Sequence, residues 1–522
     1  MSVLREHLVV VPVVLPLAAG ALMLLLEERR YALKGAISLV STLLLIAAAA
    51  ALVPIVDAPA TAVYRIGDWP APFAIVLVAD RLSVLLVLLT SVLGFAALLF
   101  SLARWHRAAP RFHVLLQILL MGVNGAFLTG DLFNLFVFFE VLLAASYGLA
   151  LHGAGTARVR ASLHYIVVNL TASLIFLIGV SLLYGVTGTL NMADLAVRIP
   201  AVPEADRGLV EAGAAILGIA FLVKAAMWPL GFWLPGVYGA ASPPSAALFA
   251  ILTKVGVYAV LRVGLLLFGG ADPAPAFGDW LLYGGCVTLL FGSVGMLASQ
   301  DLQRIAAYSL VVSAGTLLAA VGMADAAVTG AALYYLVAST LGVGAFFLLS
   351  ELVERARNPA ADMLALTAEA FGIEEEEEPE EEVGVAIPAT IALLGFVFAC
   401  SALVIAGLPP LPGFIAKFAL FAGLLAPTPV PDPAWLLIVL MTLSGLAAVI
   451  SLARAGVRAF WTAPEGTVPR VRVIEFSAVG LLVLACLALT VAAGPVMRYV
   501  QDAAAGLHDP RGYVGEVLSG SP

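Results

Sequence analysis

The sequence predicts an all-α polytopic membrane protein of about 14 transmembrane helices, because apolar runs long enough to cross a hydrocarbon core recur along its whole length. Two further observations agree. Hydrophobic residues make up 62% of the 522 positions and charged residues 11%, against about 45–50% and about 25% in soluble chains. The interruptions between runs are short clusters of Gly, Pro and charge, not polar domains, so residues 1–522 read as one membrane domain. Net charge is −8, but eight acids lie between Glu374 and Glu382, so the figure describes one loop and points to no nucleic-acid partner.

Taken in order, the first segment, 8–26, ends in Glu27-Glu28-Arg29-Arg30 and lacks a basic leader and a small-residue cleavage site, so it reads as a retained helix. Segments 2 to 7 follow at 32–55, 79–103, 112–130, 131–152, 160–186 and 208–234. Segments 8 to 14 follow at 242–268, 279–299, 302–324, 331–352, 387–424, 434–460 and 473–497. Segments 7 and 12 are broken. Proline enters the apolar run in Lys224-Ala-Ala-Met-Trp-Pro-Leu-Gly-Phe-Trp-Leu-Pro235 and again in Gly407-Leu-Pro-Pro-Leu-Pro-Gly-Phe-Ile-Ala-Lys417. Such breaks are tolerated at membrane depth only where protein or water satisfies the freed backbone. They lie five segments apart, which predicts an internal repeat, 112–268 and 279–460, with the second half inverted because five is odd.

Orientation follows the basic residues. Fifteen Lys and Arg fall in loops after odd-numbered segments and eight in the others, which predicts both termini outside the cytoplasm. Loop 358–386, with its acidic run, then lies on the cytoplasmic side as a solvated segment.

The chain has four lysines. Lys34 is assigned to a cytoplasmic loop, but Lys224, Lys254 and Lys417 fall inside predicted helices. A central charge costs about 2.5–3.5 kcal/mol to insert, so it faces an interior cavity and marks a proton or ion route. Moving a lysine from about 10.4 to about 7 corresponds to about 4–5 kcal/mol, within the reach of desolvation, whereas arginine does not titrate usefully. Glu140 sits in segment 5 without a charged sequence neighbour, and Lys224 is its natural partner. Tyr147, seven residues on, shares its face. Tyr308, Ser309 and Ser313 of segment 10 are candidates to line a wet path. Alternatives stand beside each reading: a static Glu140–Lys224 pair, a snorkelling Lys254, and a Lys417 that caps freed carbonyls of its own helix. Arg262 reads as a snorkelling residue. The six histidines lie at or near predicted helix ends. Cys286, Cys400 and Cys486 stand alone in apolar stretches, and no nucleotide loop, His-Glu-x-x-His or Cys-x-x-Cys is present, so no cofactor and no metal site are expected.

Thr129-Gly-Asp-Leu-Phe-Asn-Leu-Phe-Val-Phe-Phe-Glu140, Lys224-Ala-Ala-Met-Trp-Pro-Leu, Asp301-Leu-Gln-Arg-Ile-Ala-Ala-Tyr-Ser309 and the Gly407–Lys417 stretch resemble the antiporter-like subunits shared by respiratory complex I, membrane hydrogenases and Mrp antiporters. The wording around Glu140 looks most like the D-type subunits of Mrp-type multisubunit Na+/H+ antiporters. The resemblance implies an inverted repeat and a central polar axis, with Glu140, Lys224, Lys254 and Lys417 as its proton carriers. It also implies a prokaryotic cell membrane, a hetero-oligomer with a paralogous large subunit and small membrane subunits, and Na+ exchanged for H+ by a secondary antiporter and not an enzyme. A redox-driven pump subunit is the alternative. Where relatives commonly carry a histidine in segment 11, this chain has Val337-Ala-Ser-Thr340, which leaves the Lys254–Lys417 link to water or to Ser339 and Thr340.

Overall fold

Long apolar runs can satisfy their backbone groups in a bilayer only by coiling, and helices form wherever the sequence holds such a run. The computed structural model describes residues 7–57, 61–73, 75–153, 155–268, 275–357, 388–460 and 471–519; loop 358–386 lies outside the described residues. Among them, ten helices are long and apolar enough to cross a membrane, and four shorter apolar helices accompany them.

α1 (Val11–Leu24) and α2 (Tyr31–Asp57) open the chain. A hairpin that the apolar pattern does not announce follows. Its strands β1 (Thr61–Arg65) and β2 (Val76–Asp80) pair antiparallel, Thr61 opposite Asp80. Asp80 then caps α3 (Arg81–Ser101), accepting from the Ser83 N–H while the Ser83 hydroxyl accepts from the Asp80 N–H. α4 (Phe112–Leu128) and α5 (Leu132–Ala150) form a tight pair, and α6 (Thr156–Thr187) returns as a helix of 32 residues. The short α7 (Met192–Arg198), started by Asn191, leads into α8 (Glu204–Lys224).

α8 stops at Lys224, and the chain resumes helical form in α9 (Leu234–Ala240). The run expected at 242–268 is divided into α10 (Pro243–Phe249) and α11 (Leu252–Phe268), a break that no proline announces. α12 (Pro275–Ala298) and α13 (Leu302–Gly322) pack backbone to backbone. Side chains at Gly285 or Gly315 would strike the facing main chain, the small-residue logic of membrane helix pairs. α14 (Ala326–Arg357), also 32 residues, is followed by α15 (Pro388–Ala406), the break, and α16 (Pro412–Leu425). α17 (Asp432–Phe460) and α18 (Val473–Val491) complete the long helices. The segment expected at 473–497 turns at Ala492 into the amphipathic α19 (Ala493–His508), and α20 (Arg511–Leu518) follows.

Burial decides which helices are central. The apolar window of α14 is 94% buried and that of α13 89%, whereas those of α2, α6 and α17 are 39% buried. The candidate residues of segments 10 and 11 therefore sit at the middle of the molecule.

Two expectations change here. Lys34 is not in a loop but in the first turn of α2, buried beside His113. Arg262 does not snorkel: it is buried, pairs with Asp80 at 2.6 Å and lies 5.1 Å from the Tyr513 ring. Sequence reasoning misses Arg262 because its partners come from elements it does not place, a hairpin and a terminal helix, and Lys34 because its neighbour His113 belongs to another helix. His164 also lies inside α6, in a helix that begins at Thr156 and not at 160.

Candidate functional site

The first candidate residue stands on α5. Glu140 is half-buried and accepts a hydrogen bond from the Ser173 hydroxyl of α6. Tyr165, Asn169 and Ser173 recur every four residues, a buried polar stripe that helical spacing in the sequence could have revealed. Tyr165 shares a 2.8 Å hydrogen bond with Ser146, and Tyr147 stands edge-on to the Tyr165 ring at 5.1 Å.

Lys224 is the last residue of α8, where a cation meets the negative end of the helix dipole. The carbonyl of Lys224 would ordinarily accept from residue 228, but the Trp228 N–H donates instead to the Thr288 hydroxyl at 2.9 Å. Pro229 has no N–H to offer Ala225. The break thus places polar backbone beside the ammonium. Lys224 Nζ is buried, has no hydrogen-bond partner among the described residues, and lies 4.7 Å from the Phe139 ring centre within a cluster that includes Phe176 and Phe221. Among the described residues no ion pair joins it to Glu140, although Glu140 is the charged neighbour that acts on it. A static Glu140–Lys224 clasp is absent from this geometry.

Lys254 lies on α11, which crosses α8 at the break. A side chain at Gly256 would collide with the main chain of Lys224 and Ala225, so only glycine allows this approach. Lys254 is fully buried and does not reach an interface. Its ammonium donates to Ser313 of α13 at 2.8 Å, and Ser313 shares a 2.9 Å hydrogen bond with Ser339 of α14. The Tyr335 side chain neighbours Ser313 and Thr316. Thr340 points elsewhere, donating to the Leu336 carbonyl, and Tyr308 stands edge-on to Phe291, outside the cavity described next.

Lys417 is half-buried on α16, just past the second break. The carbonyl of Ala406 would ordinarily accept from residue 410, which is proline. Lys417 Nζ supplies the missing donor at 2.8 Å, so the capping geometry that the sequence offers as an alternative is present. Gly407 takes φ +74° to turn the chain. Between Ser339 and Lys417 lies a cavity of about 20 Å³ whose wall includes Ser309, Tyr335 and Ser444. Sequence reasoning does not select Ser173, Tyr335 or Ser444, because a hydroxyl in an apolar helix more often bonds its own backbone.

These residues therefore form two neighbourhoods. One is Glu140, Ser173 and Lys224 with its aromatic rings; the other is Lys254, Ser313 and Ser339, one cavity from Lys417. Among the described residues no His, Cys, Asp and Glu group could hold a metal ion.

Comparisons with known proteins agree on one family. The chain is 55% identical to a Rhizobium meliloti (strain 1021) protein named as the D-type subunit of a probable K(+)/H(+) antiporter, over 98% of each chain. It is 35% identical to a Bacillus subtilis (strain 168) protein named as the D-type subunit of an Na(+)/H(+) antiporter, over 98% of this chain and 99% of that one. Its fold superposes on a chain of the Mrp complex from Dietzia sp. DQ12-45-1b with a TM-score of 0.84, 27% identity and 99% of each chain covered. Residues 129–450 match the family described as NADH:quinone oxidoreductase/Mrp antiporter, transmembrane. The chain, a multi-pass membrane protein, belongs to that family.

Proposed function

We propose that this chain is the proton-translocating subunit of a multisubunit monovalent cation/proton antiporter, moving protons laterally through Glu140, Lys224, Lys254 and Lys417. The observation that carries this reading is the bonded run from the fully buried Lys254 through Ser313 to Ser339, with Lys417 across one small cavity. A buried ammonium is expensive, and Lys254 bonded to a hydroxyl, with Lys417 across water-sized space, is what a proton route requires. Lys224, held by rings and not by a carboxylate, can change charge without breaking an ion pair. Glu140 modulates it through space, and Ser173 fixes where that carboxylate sits.

The repeat 112–268 and 279–460 is part of the proposal. It is supported by helices of 32 residues at corresponding places, α6 and α14, by aspartate caps on α5 (Asp131) and α13 (Asp301), and by the two breaks. Counting each broken run once gives the 14 spans proposed here. The termini are placed outside the cytoplasm of a prokaryotic cell. We take the partners to be a paralogous large subunit and small membrane subunits; the relatives are named as subunits of antiporters, which supports a transporter assembly and not an enzyme. The relative at 55% identity is named for K+ and that at 35% for Na+, so K+ stands beside Na+ as the cation exchanged.

The test is ΔpH-driven exchange in everted vesicles carrying the assembled complex, with Na+ or K+ supplied separately. Lys224→Ala is expected to lose on the order of tenfold or more of the exchange while still assembling, since the route loses a proton carrier. Equal rates for this variant and the wild type would exclude the mechanism.

A further inference from the structure

We infer that Arg262, held by Asp80, is an electrostatic seal that closes Lys254 off from the hairpin end of the molecule, so that Lys254 exchanges protons only through Ser313. This deepens the proposed route and rests on it. Lys254, Tyr258 and Arg262 recur every four residues on one face of α11, and all three are buried. Eight residues of helix span about 12 Å. The stripe would be a polar way from Lys254 to the hairpin, where the Asp80 side chain is 15% exposed, if its groups could pass a proton.

Their bonding prevents it. The Tyr258 hydroxyl spends its one hydrogen on the Phe127 carbonyl at 2.8 Å, and its oxygen already accepts from Arg262 Nε at 3.3 Å. A hydroxyl relays a proton only by accepting one as it gives up its own, and here the accepting oxygen faces a guanidinium that does not deprotonate. That guanidinium turns Nε toward Tyr258, which lies one turn nearer Lys254, and Nη2 toward Asp80 at 2.6 Å. A positive edge therefore faces the lysine, and the carboxylate lies beyond it. The assembly is fixed in place: Tyr513 of α20 covers the guanidinium from 5.1 Å, and the other Asp80 oxygen accepts from the Ser83 N–H. A fixed arginine of this kind repels hydronium and alkali cations alike. On the Ser313 side the bonding is permissive, because either hydroxyl of the Ser313–Ser339 pair can be the donor.

The experiment reads proton leak, not exchange. Vesicles carrying the assembled complex are given a pH gradient with neither Na+ nor K+ present, and its decay is followed with a pH-sensitive dye. The double variant Asp80→Asn, Arg262→Gln removes both charges together, so neither is left buried and unpaired. It is expected to lose the gradient about fivefold faster than wild type, and adding Lys254→Ala is expected to restore the wild-type rate. Arg262→Lys keeps a positive charge beside Asp80 and is expected to stay within about twofold of wild type. A double variant as tight as wild type would overturn the inference. So would a leak that survives Lys254→Ala, which would place the opening elsewhere, or an equal leak in Arg262→Lys, which would make Arg262 a packing residue only. If the double variant does not assemble, Arg262→His takes its place. Relative to wild type at the same pH, its leak is expected to be several-fold larger at about pH 8.5, with the ring neutral, than at about pH 6, with the ring charged; equal ratios overturn the seal. A Lys224→Ala protein that exchanges normally would sink the proton route itself, whereas loss there with a tight double variant would remove only the seal.

Discussion

An ammonium that lies over the Phe139 ring and bonds to no oxygen is an unusual way to keep a charge inside a protein, and it makes the identity of the cation testable. Lys224→Arg keeps the positive charge but cannot release it near neutral pH. Exchange is expected to fall about as far as in Lys224→Ala, on the order of tenfold, because charge without titration is useless to a relay. Full activity in the arginine variant would show that only the charge matters. Ser173→Ala leaves Glu140 without its hydroxyl donor and is expected to reduce exchange several-fold while the complex still assembles, read by co-purification and by vesicle flux. At this scale the sequence is most informative about lysine. A membrane lysine is rare enough to stand out, so Lys224, Lys254 and Lys417 are visible from charge alone. Ser173 is not, because nothing in its local sequence separates a hydroxyl that bonds a distant carboxylate from one that bonds its own helix. Lys34 is misplaced for a related reason: its burial depends on His113, which belongs to another helix.

Elements join through a few buried polar contacts whose loss has predictable signs. Asp80 at the start of α3 is the partner of Arg262 from α11, and Tyr258 and Tyr513 complete the site. Asp80→Asn leaves a buried guanidinium without its counterion and is expected to destabilise the protein by about 3–5 kcal/mol, measured as a fall in thermal stability of the purified complex. On the basic face, the turn Trp105–Arg107 carries His106, and His152 follows α5. Burial pushes both histidines below the ordinary value of 6.5. For His106 the Ser101 carbonyl opposes this shift and Arg107 adds to it. For His152 the Trp105 carbonyl opposes, and Arg158 and His106 add. The folded chain therefore favours the neutral rings, and the unfolded turn binds protons more readily. Their contribution to stability is complete above pH 6.5 and is lost as the pH falls below it. Lys34, His113, Arg107 and Arg158 face this cluster and offer no compensating negative charge. The protection of amides in residues 101–113, taken relative to the intrinsic exchange rate at each pH, is expected to fall as the pH drops from 7.5 to 5.5, and His106→Gln is expected to blunt the change.

Across the whole molecule, ion pairs sort the turns into two faces. Arg104, Arg355 and Glu351 meet on one, with Glu475 behind Arg355; Asp80 and Arg262 meet on the other, near Tyr513. Membrane-impermeant maleimide applied to single-cysteine variants tests which face is cytoplasmic. Glu27→Cys is expected to label only in everted vesicles and Ser519→Cys only in right-side-out ones; the reverse pattern inverts the assignment. The helices themselves are legible because every long apolar run turned helical over most of its length, and proline marks the breaks after Lys224 and Ala406. The hairpin, the division at Ala250–Ile251 and the turn at Ala492 are not legible, since the apolar pattern marks none of them. The second break has one more consequence. Lys417, a stop on the proposed proton route, is also the donor that closes the gap at Ala406. A charged donor holds a carbonyl about twice as firmly as a neutral one. On the proposed route, a proton leaving Lys417 would therefore weaken the donor that bridges the break and one arriving would restore it, which ties the firmness of this joint to the charge of a single side chain.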